Sequence, residues 1–260
     1  METLLVERNE GVVTVTMNRP ERKNAINGVM QQELQVTFEE IERNDDDRVM
    51  VLTGAGGSFS SGADLADPSG LTSDSSQHFL QRMRRSGDVA LALHRMTTPT
   101  IAQVDGVAVG AGCSLALGCD LVVASEQAKF SLIFAKRGLS LDYGVSWLLP
   151  RLVGMAKAKE ISLFGGMWSG QEAADIGLIN RVLPLDQLDP FVDQWASALA
   201  AGPPLALSMT KTLLHASAQA TMEQAVEDEA RCQAVNFYSK DTREAMLAFV
   251  EKRDAHFTGR

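Results

Sequence analysis

The chain has 260 residues, of which 45% are hydrophobic and 22% are charged, a composition typical of globular proteins. This length allows one large α/β domain, or such a domain with a helical appendage. The formal net charge of −9 does not favour binding to nucleic acid or to an anionic membrane.

The first third of the chain alternates strand and helix patterns. Strands are predicted at residues 4–7, 12–17 and 49–53. A helix is predicted at residues 28–43, where apolar side chains recur at helical spacing. Residues 67–77 are rich in Ser, Asp and Gly and predict a mobile loop, which a helix at about 79–94 follows.

Strand and helix patterns continue through the middle of the chain. Residues 100–104 and 121–124 predict two more buried strands, with a helix ending near residue 117 between them. The recurrence of strand, helix and strand predicts a layered α/β core.

Helical signals dominate after Gly138. Three pairs have capping-box spacing: Ser169 with Glu172, Thr221 with Gln224, and Asp241 with Glu244. The Gly-Pro-Pro break at 202–204 predicts a boundary between a core of residues 1–201 and a helical region of residues 202–260.

Two short stretches rich in small residues are the most informative part of the sequence. They are 59–65 (FSSGADL) and 106–114 (GVAVGAGCS), and each ends a strand-like run and opens a predicted helix. Glycine and alanine leave backbone N–H groups uncovered, so two such turns facing each other would hold one carbonyl oxygen between two donors. This predicts an oxyanion hole for a thioester or ester carbonyl that becomes negative during reaction.

These stretches belong to an ordered series that resembles the crotonase superfamily, the enoyl-CoA hydratases and isomerases. The series comprises Asn18-Arg19-Pro20 with Asn24-Ala25, then FSSGADL, GVAVGAGCSLALGCD (106–120) and LLPRLVG (148–154). The resemblance implies an α/β fold, a crotonase-like ββα-spiral core with a C-terminal helical trimerisation region. It further implies an acyl-CoA thioester substrate, no separate cofactor or metal, and a homotrimer or a hexamer built as a dimer of trimers.

The resemblance also assigns roles to individual residues. The oxyanion donors would be the backbone N–H groups of Ala63 and Ala111, and Lys252 and Phe257 of a neighbouring subunit would close over the nucleotide end of CoA. Asp64 is also expected to fix its own turn. The substrate-binding set implied in full is Lys23, Ala25, Ala63, Asp64, Leu65, Gly110, Ser114, Phe134, Lys252 and Phe257.

Hydratases of this family use two glutamates, and the resemblance locates both positions here. Ser114 occupies the first and Phe134 the second. Because neither side chain exchanges a proton with carbon at neutral pH, the sequence argues against the two-carboxylate hydration route. Family members that lack both glutamates, and that carry an aspartate where Asp142 stands, include Δ3,Δ2-enoyl-CoA isomerases and the isomerase that converts a ring-epoxide of phenylacetyl-CoA to an oxepin.

Asp142 is therefore the predicted catalytic acid/base. It would remove a proton at C2 of a 3-enoyl thioester and return it at C4, and its apolar neighbours are expected to raise its pKa. An aspartate before Tyr-Gly is also typical of a turn or a helix N-cap, so a structural role stays open at this point.

Other functions compete with isomerisation. Hydration, or dehalogenation with an aspartate nucleophile, is one alternative, although the dehalogenase route needs a histidine and His94, the one candidate, has the wrong register. A non-catalytic acyl-CoA-binding homologue is another. The three cysteines and the absence of a signal segment predict a cytoplasmic protein, with fatty acid β-oxidation as the implied setting.

Overall fold

The computed structural model describes residues 1–67 and 79–260, so the loop predicted at 67–77 lies outside the described residues except for Asp67. The chain opens with an antiparallel hairpin of β1 (Leu4–Asn9) and β2 (Val12–Met17). Glu10 and Gly11 connect the strands with φ values of 49° and 82°. Positive φ at both positions is typical of a type I′ hairpin turn, and glycine adopts it without strain.

The larger sheet continues from this hairpin with parallel strands. These are β3 (Val49–Gly54), β4 (Thr100–Val104), β6 (Leu121–Ser125) and β9 (Arg181–Leu183), and the full order is β1-β2-β3-β4-β6-β9. Successive parallel strands end at the same edge of a sheet. The two small-residue turns follow β3 and β4, so both begin at this edge.

A second sheet of three short strands extends beyond that edge, and the sequence patterns did not predict it as a sheet. It contains β5 (Val107–Val109), β7 (Lys129–Ser131) and β8 (Trp168–Ser169), in the order β5-β7-β8. Ser60 forms a parallel bridge to Ala108 of β5. This bridge places the turn after β3 beside β5, the strand that leads into the turn at Gly110.

Helices cover the sheets and form the C-terminal region. Their bounds are α1 (Gly28–Glu42), α2 (Phe79–Arg95), α3 (Ala111–Gly118), α4 (Val145–Phe164), α5 (Gly170–Asp175), α6 (Leu185–Ala200), α7 (Pro204–Ser217), α8 (Met222–Tyr238) and α9 (Lys240–Glu251). The main core lies between the sheets and helices such as α1, which buries Met30, Leu34 and Phe38. A smaller core forms where α6 packs on the larger sheet.

The caps of the helices test the predicted boundaries. Capping boxes at Ser169 and Thr221 begin α5 and α8 as predicted. The prediction for Asp241 is wrong, because Ser239 caps α9 and accepts a hydrogen bond from the Thr242 N–H at 3.1 Å. Asp241 lies within the first turn and instead accepts hydrogen bonds from the C-terminal tail, including the Thr258 N–H at 2.7 Å.

Candidate active site

The turn after β3 is held against β5 by backbone hydrogen bonds. The Ser60 N–H donates to the Val107 carbonyl oxygen and the Val109 N–H donates to the Ser60 carbonyl oxygen, both at 2.9 Å. Gly62 has φ +90°, and a Cβ there would lie 2.6 Å from the Val109 carbonyl oxygen. Close backbone approach and left-handed conformation therefore both require glycine at this position.

The turn after β5 opens helix α3. Gly110 precedes the helix with φ 54° and ψ −124°, a conformation that an L side chain rarely adopts. Its N–H donates to the Ser131 carbonyl oxygen of β7 at 2.8 Å, which fixes the turn to the smaller sheet. Ala111 is the first residue of α3, where the positive end of the helix dipole adds to the attraction for negative charge.

The predicted oxyanion donors lie in these two turns. Around Ala63, the Ile26 N–H donates to the Gly62 carbonyl oxygen (2.8 Å) and the Asp64 N–H to the Ile26 carbonyl oxygen (2.9 Å), so the Ala63 N–H faces the other way. The Cβ position of Gly62 lies 3.4 Å from the Ala111 nitrogen. Within the described part of the chain, neither Ala63 nor Ala111 donates its N–H to a protein acceptor. The structure thus brings two free backbone donors into neighbouring turns.

Asp142 lies in the turn between a 3-10 helix (Ile133–Arg137) and α4. Its side chain is half-buried, and its Oδ1 atom is fully buried without a hydrogen-bond partner among the described residues. Loss of solvation by burial raises the pKa of Asp142 from 3.8 to about 6. Such a carboxylate is ionised at neutral pH and is a stronger base than one in water.

The alternative role of Asp142 as a helix cap is wrong. Gly144 stands at the N-cap of α4, and no side chain caps that helix by a hydrogen bond. The contact that Asp142 makes with the helix is through its backbone, whose carbonyl oxygen accepts from the Val145 N–H at 3.2 Å. The sequence pattern suggested a capping carboxylate, but the Asp142 carboxylate does not cap α4.

The two positions assigned to glutamates are buried and hold no acid. Ser114 is 1% exposed, and its hydroxyl donates back to the Gly110 carbonyl oxygen at 3.2 Å. Phe134 is 5% exposed and belongs to the main hydrophobic core. A second carboxylate at either position is thus absent, and Phe134 adds to the apolar character of this region.

The loop predicted to contact CoA lies next to the first turn. Lys23 is exposed, and its carbonyl oxygen accepts from the Ser61 N–H at 2.9 Å. Ala25 is buried, with its carbonyl oxygen bound by the Arg19 side chain. Arg19 also forms an ion pair with Asp64 at 2.9 Å, and the Asp64 carboxylate accepts from the Ala66 N–H of its own turn at 3.1 Å.

Leu65 follows that turn and is 56% exposed. Lys23 and Leu65, on either side of the first turn in the sequence, are thus both exposed to solvent.

Lys252 and Phe257 lie at and beyond the end of α9. Lys252 ends α9 and is exposed, while the carbonyl oxygen of Phe257 accepts from the Arg48 guanidinium at 3.1 Å. Arg48 immediately precedes β3, whereas the oxyanion turn follows it. The length of β3, about 20 Å for six residues, separates the two ends. The backbone of Phe257 therefore lies at the end of β3 that is away from the oxyanion turn of the same chain.

His94, the histidine considered for dehalogenation, packs against other aromatic rings. His94 stacks on His215 with ring centroids 4.4 Å apart and meets Trp147 edge-on at 5.1 Å. Burial, His215 and Lys211 lower the pKa of His94. An ion pair of Lys211 with Asp120 at 2.7 Å lies beside the stack. This group joins α7 to the core, and Asp120 also accepts from the Thr100 N–H at the start of β4.

The cysteines and acidic clusters offer no further chemistry in this region. All three cysteines are free, and burial raises the pKa of Cys113 and Cys119 to about 12, so neither is a thiolate at neutral pH. Residues 1–67 and 79–260 contain no group of three His, Cys, Asp or Glu side chains that could hold a metal ion. In the same residues no helix combines the length and hydropathy needed to cross a membrane.

Comparisons with known proteins identify the class of protein. The family model for Enoyl-CoA hydratase/isomerase matches residues 7–260. The chain therefore belongs to the enoyl-CoA hydratase/isomerase family, as its motifs predicted, and this is a family of acyl-CoA enzymes.

Individual relatives carry both kinds of name. The 1,2-epoxyphenylacetyl-CoA isomerase of Escherichia coli (strain K12) is 37% identical over the full length of both chains. The short-chain-enoyl-CoA hydratase of Clostridium acetobutylicum is 30% identical over 97% of this chain and 96% of its own. A crystal structure of enoyl-CoA hydratase from Bacillus anthracis superposes with a TM-score of 0.94 at 28% identity, covering 99% of this chain and all of that one. The predicted crotonase-like α/β fold is confirmed.

Proposed function

We propose that this chain is an enoyl-CoA isomerase that moves a double bond from Δ3 to Δ2, with Asp142 as its acid/base. The observation that carries the proposal is the state of the Asp142 carboxylate, whose Oδ1 is buried and accepts no hydrogen bond within the described residues. The positions of the two hydratase acids support it as well, since Ser114 and Phe134 leave Asp142 as the candidate base.

The reaction needs one base and an electrophilic clamp. The Ala63 and Ala111 N–H groups donate to the thioester oxygen and acidify the proton at C2. Asp142 takes that proton, and the C–H electrons pass into a dienolate whose negative oxygen the same two N–H groups hold. The carboxylic acid then protonates C4, so the double bond shifts from C3–C4 to C2–C3. No water is activated, which agrees with the apolar side chain of Phe134.

The expected pH dependence follows from the burial of the carboxylate. Asp142 must be ionised to accept the proton, so turnover rises with pH through its raised pKa of about 6. General acid–base catalysis contributes about 10²–10⁴-fold to a rate, and the Asp142→Asn variant should lose turnover by that factor.

The test begins with purified protein and a 3-enoyl-CoA, with the absorbance of the conjugated thioester as the readout. Asp142→Asn should lose turnover while calorimetry finds unchanged binding of CoA, and the exposed Asp193→Asn serves as the matched control. A substrate deuterated at C2 sharpens the assay, because a single shielded carboxylate should carry part of the deuterium to C4. Full turnover by Asp142→Asn would exclude the assigned base.

The same assay separates the alternatives. A hydratase would convert a 2-enoyl-CoA to its 3-hydroxy product, a dehalogenase would release chloride from a chlorinated aryl-CoA, and an acyl-CoA-binding homologue would bind CoA without turnover. Isomerisation of an aryl ring-epoxide is favoured by one specific observation, the full-length similarity to the 1,2-epoxyphenylacetyl-CoA isomerase. A panel of short, long and aromatic thioesters therefore includes that substrate.

The proposal extends to assembly and setting. Exposed apolar side chains on the C-terminal helices support a trimer or a hexamer, among them Met222 (77%), Tyr238 (84%), Phe249 (85%) and Val250 (77%). In such an assembly Lys252 and Phe257 would reach the CoA of a neighbouring subunit. The three free cysteines support a reducing compartment such as the cytoplasm, and fatty acid β-oxidation is the proposed setting. CoA enters as part of the substrate, so no cofactor or metal is proposed.

A further inference from the structure

The N–H of Ala63, the proposed oxyanion donor, shares its peptide unit with the carbonyl group of Gly62. In a planar trans peptide the C=O and N–H bonds point in opposite directions, so whatever holds the Gly62 carbonyl group also aims the Ala63 N–H. The Ile26 N–H donates to the Gly62 carbonyl oxygen at 2.8 Å. The direction of the oxyanion donor is therefore set from the loop that contains Ile26.

The peptide unit that contains the Ile26 N–H is held in the same way. It includes the carbonyl group of Ala25, whose oxygen accepts a hydrogen bond from Arg19 Nη1. A series of hydrogen bonds thus runs from the guanidinium through two peptide units and ends at the Ala63 N–H, which has no protein acceptor among the described residues. Hydrogen bonds in such a series polarise one another, and a cationic donor at its start makes the first bond stronger.

The start of this hydrogen-bond series is rigidly placed. The Arg19 N–H donates to the side-chain oxygen of Asn24, and the Asn24 N–H donates to the Arg19 carbonyl oxygen, both at 2.9 Å. The Asn24 amide in turn donates to the carbonyl oxygens of Ala55 at 2.8 Å and Ser58 at 2.6 Å. The Arg19 side chain is 17% exposed. The guanidinium is therefore fixed in a position that is largely shielded from solvent.

Asp64 meets the same guanidinium from the other side of the oxyanion donor. Its carboxylate, 9% exposed, lies 2.9 Å from Arg19 Nη2, and its N–H donates to the Ile26 carbonyl oxygen at 2.9 Å. An unpaired carboxylate next to Ala63 would repel the negative charge that develops on the thioester oxygen. Arg19 therefore acts on the site in two separable ways, through the hydrogen-bond series and through the charge of Asp64.

We propose that Arg19 is a positioning residue for the Ala63 donor, and that it orients and polarises this donor through the Ala25 carbonyl group. The inference rests on the oxyanion role of Ala63, which is part of the proposed function. Without the guanidinium, the Ala25 carbonyl oxygen loses its charged donor and the direction of the Ala63 N–H varies. Removal of a whole oxyanion donor costs about 10²–10³-fold in kcat, so a loosened and less polarised donor should cost at least about tenfold.

The kinetic test uses Arg19→Met, which retains an apolar stem and removes both charged contacts. We expect its kcat with a 3-enoyl-CoA to fall at least about tenfold and its KM to stay within about threefold, because Asn24 still holds the CoA loop. Arg8→Met is the matched control. Arg8 pairs with Asp47 at 3.1 Å, but it lies in β1, and Asp47 precedes β3 at the end away from the oxyanion turn. The control should leave kcat unchanged although it breaks an ion pair of the same kind.

A double variant separates the hydrogen-bond series from the charge of Asp64. Arg19→Met/Asp64→Asn removes the guanidinium together with the carboxylate that it neutralises. The double variant should retain a loss of at least about tenfold in kcat, because the Ala25 carbonyl oxygen still lacks its charged donor. A return to the wild-type kcat would mean that Arg19 only neutralises Asp64, and it would overturn the inference.

Infrared difference spectroscopy examines the same donor without turnover. The probe is butanoyl-CoA labelled with carbon-13 at the thioester carbonyl, which has no double bond to isomerise. Hydrogen bonds to a carbonyl oxygen weaken the C=O bond and lower its stretching frequency. The frequency of the bound probe should therefore be higher in Arg19→Met and in the double variant than in the wild-type chain. It should be unchanged in Arg8→Met.

These readouts keep the inference apart from the proposed function. If the wild-type chain isomerises no thioester in the panel, the proposed function fails, and the carbonyl frequencies still test the role of Arg19. If Arg19→Met lowers only the midpoint of urea unfolding, with kcat and the carbonyl frequency of the wild type, the ion pair is merely structural and the inference is overturned. Should Arg19→Met fail to fold, the double variant carries both measurements, because it leaves no buried carboxylate unpaired.

Discussion

Replacing the proposed base should make the protein more stable while it removes activity. In Asp142, burial raises the pKa from 3.8 to about 6. A shift of one pKa unit corresponds to 1.36 kcal/mol, so the ionised carboxylate destabilises the folded chain by at most about 3 kcal/mol well above pH 6. Asparagine has the same shape without the charge. Asp142→Asn should therefore raise the free energy of unfolding by up to about 3 kcal/mol at pH 7.5.

The stabilisation by Asp142→Asn should depend on pH, with a sign that distinguishes a buried carboxylate from a solvated one. Between pH 4 and pH 6 the folded state binds more protons at Asp142 than the unfolded state does, so the destabilisation disappears as pH falls. The gain from Asp142→Asn should fall to about half near pH 5 and vanish below pH 4. The comparison uses the difference in free energy of unfolding between the two chains. In this difference the contributions of all other titrating groups cancel, because both chains share them.

The assay is urea unfolding followed by tryptophan fluorescence, at one protein concentration and at several pH values. Asp193→Asn, at an exposed position of α6, is the matched control and should change stability by less than about 0.5 kcal/mol. Turnover with a 3-enoyl-CoA is measured on the same samples. A gain that is zero or negative at every pH would refute the reasoning, because the carboxylate would then be solvated or structurally bound.

Three further predictions concern the surroundings of the site. Gly62→Ala should abolish turnover and lower stability by roughly 1–3 kcal/mol, because its Cβ would meet a backbone carbonyl oxygen at 2.6 Å; urea unfolding and the isomerase assay measure both effects. His94 and His215 have lowered pKa values, so the folded chain resists their protonation. The contribution of these two histidines to stability should thus fall as pH drops below about 6.5, and the difference in melting temperature between the wild-type chain and His215→Gln should change with that sign in a pH series of thermal melts. Asp241→Ala leaves the N–H donors of Thr258 and Gly259 unpaired, at a cost of about 1–3 kcal/mol, and limited trypsin digestion should then cleave the C-terminal tail faster.

Long periodic segments of the fold were predictable from the sequence. The spacing of Met30, Leu34 and Phe38 predicted α1 to within one residue. Alternating side chains predicted β2, and a buried run predicted β4, both with their observed bounds. The smaller sheet was not predictable as a sheet, since strands of two or three residues are too short to show alternation. Asp241 shows a different limit, because a capping-box spacing cannot reveal that a distant tail binds the carboxylate.

The candidate site was predictable in part for a similar reason. Small residues around Ala63 and Ala111 expose backbone wherever they stand, so the two turns were evident from local sequence. Asp142 was found through family resemblance and the lack of a rival acid. The left-handed backbone of Tyr143 was not predictable, because φ at a buried residue depends on how its turn packs against the core.

The turn from Asp142 to Gly144 concentrates two unfavourable terms in adjacent residues. One is a partly buried carboxylate with an unpartnered oxygen, and the other is a tyrosine in a left-handed conformation. Either term alone would be removed by common substitutions, asparagine at the first position or glycine at the second. A structural turn gains nothing from keeping both. A base that must stay weakly solvated requires the first term directly, and the second lies in the residue next to it in the same turn.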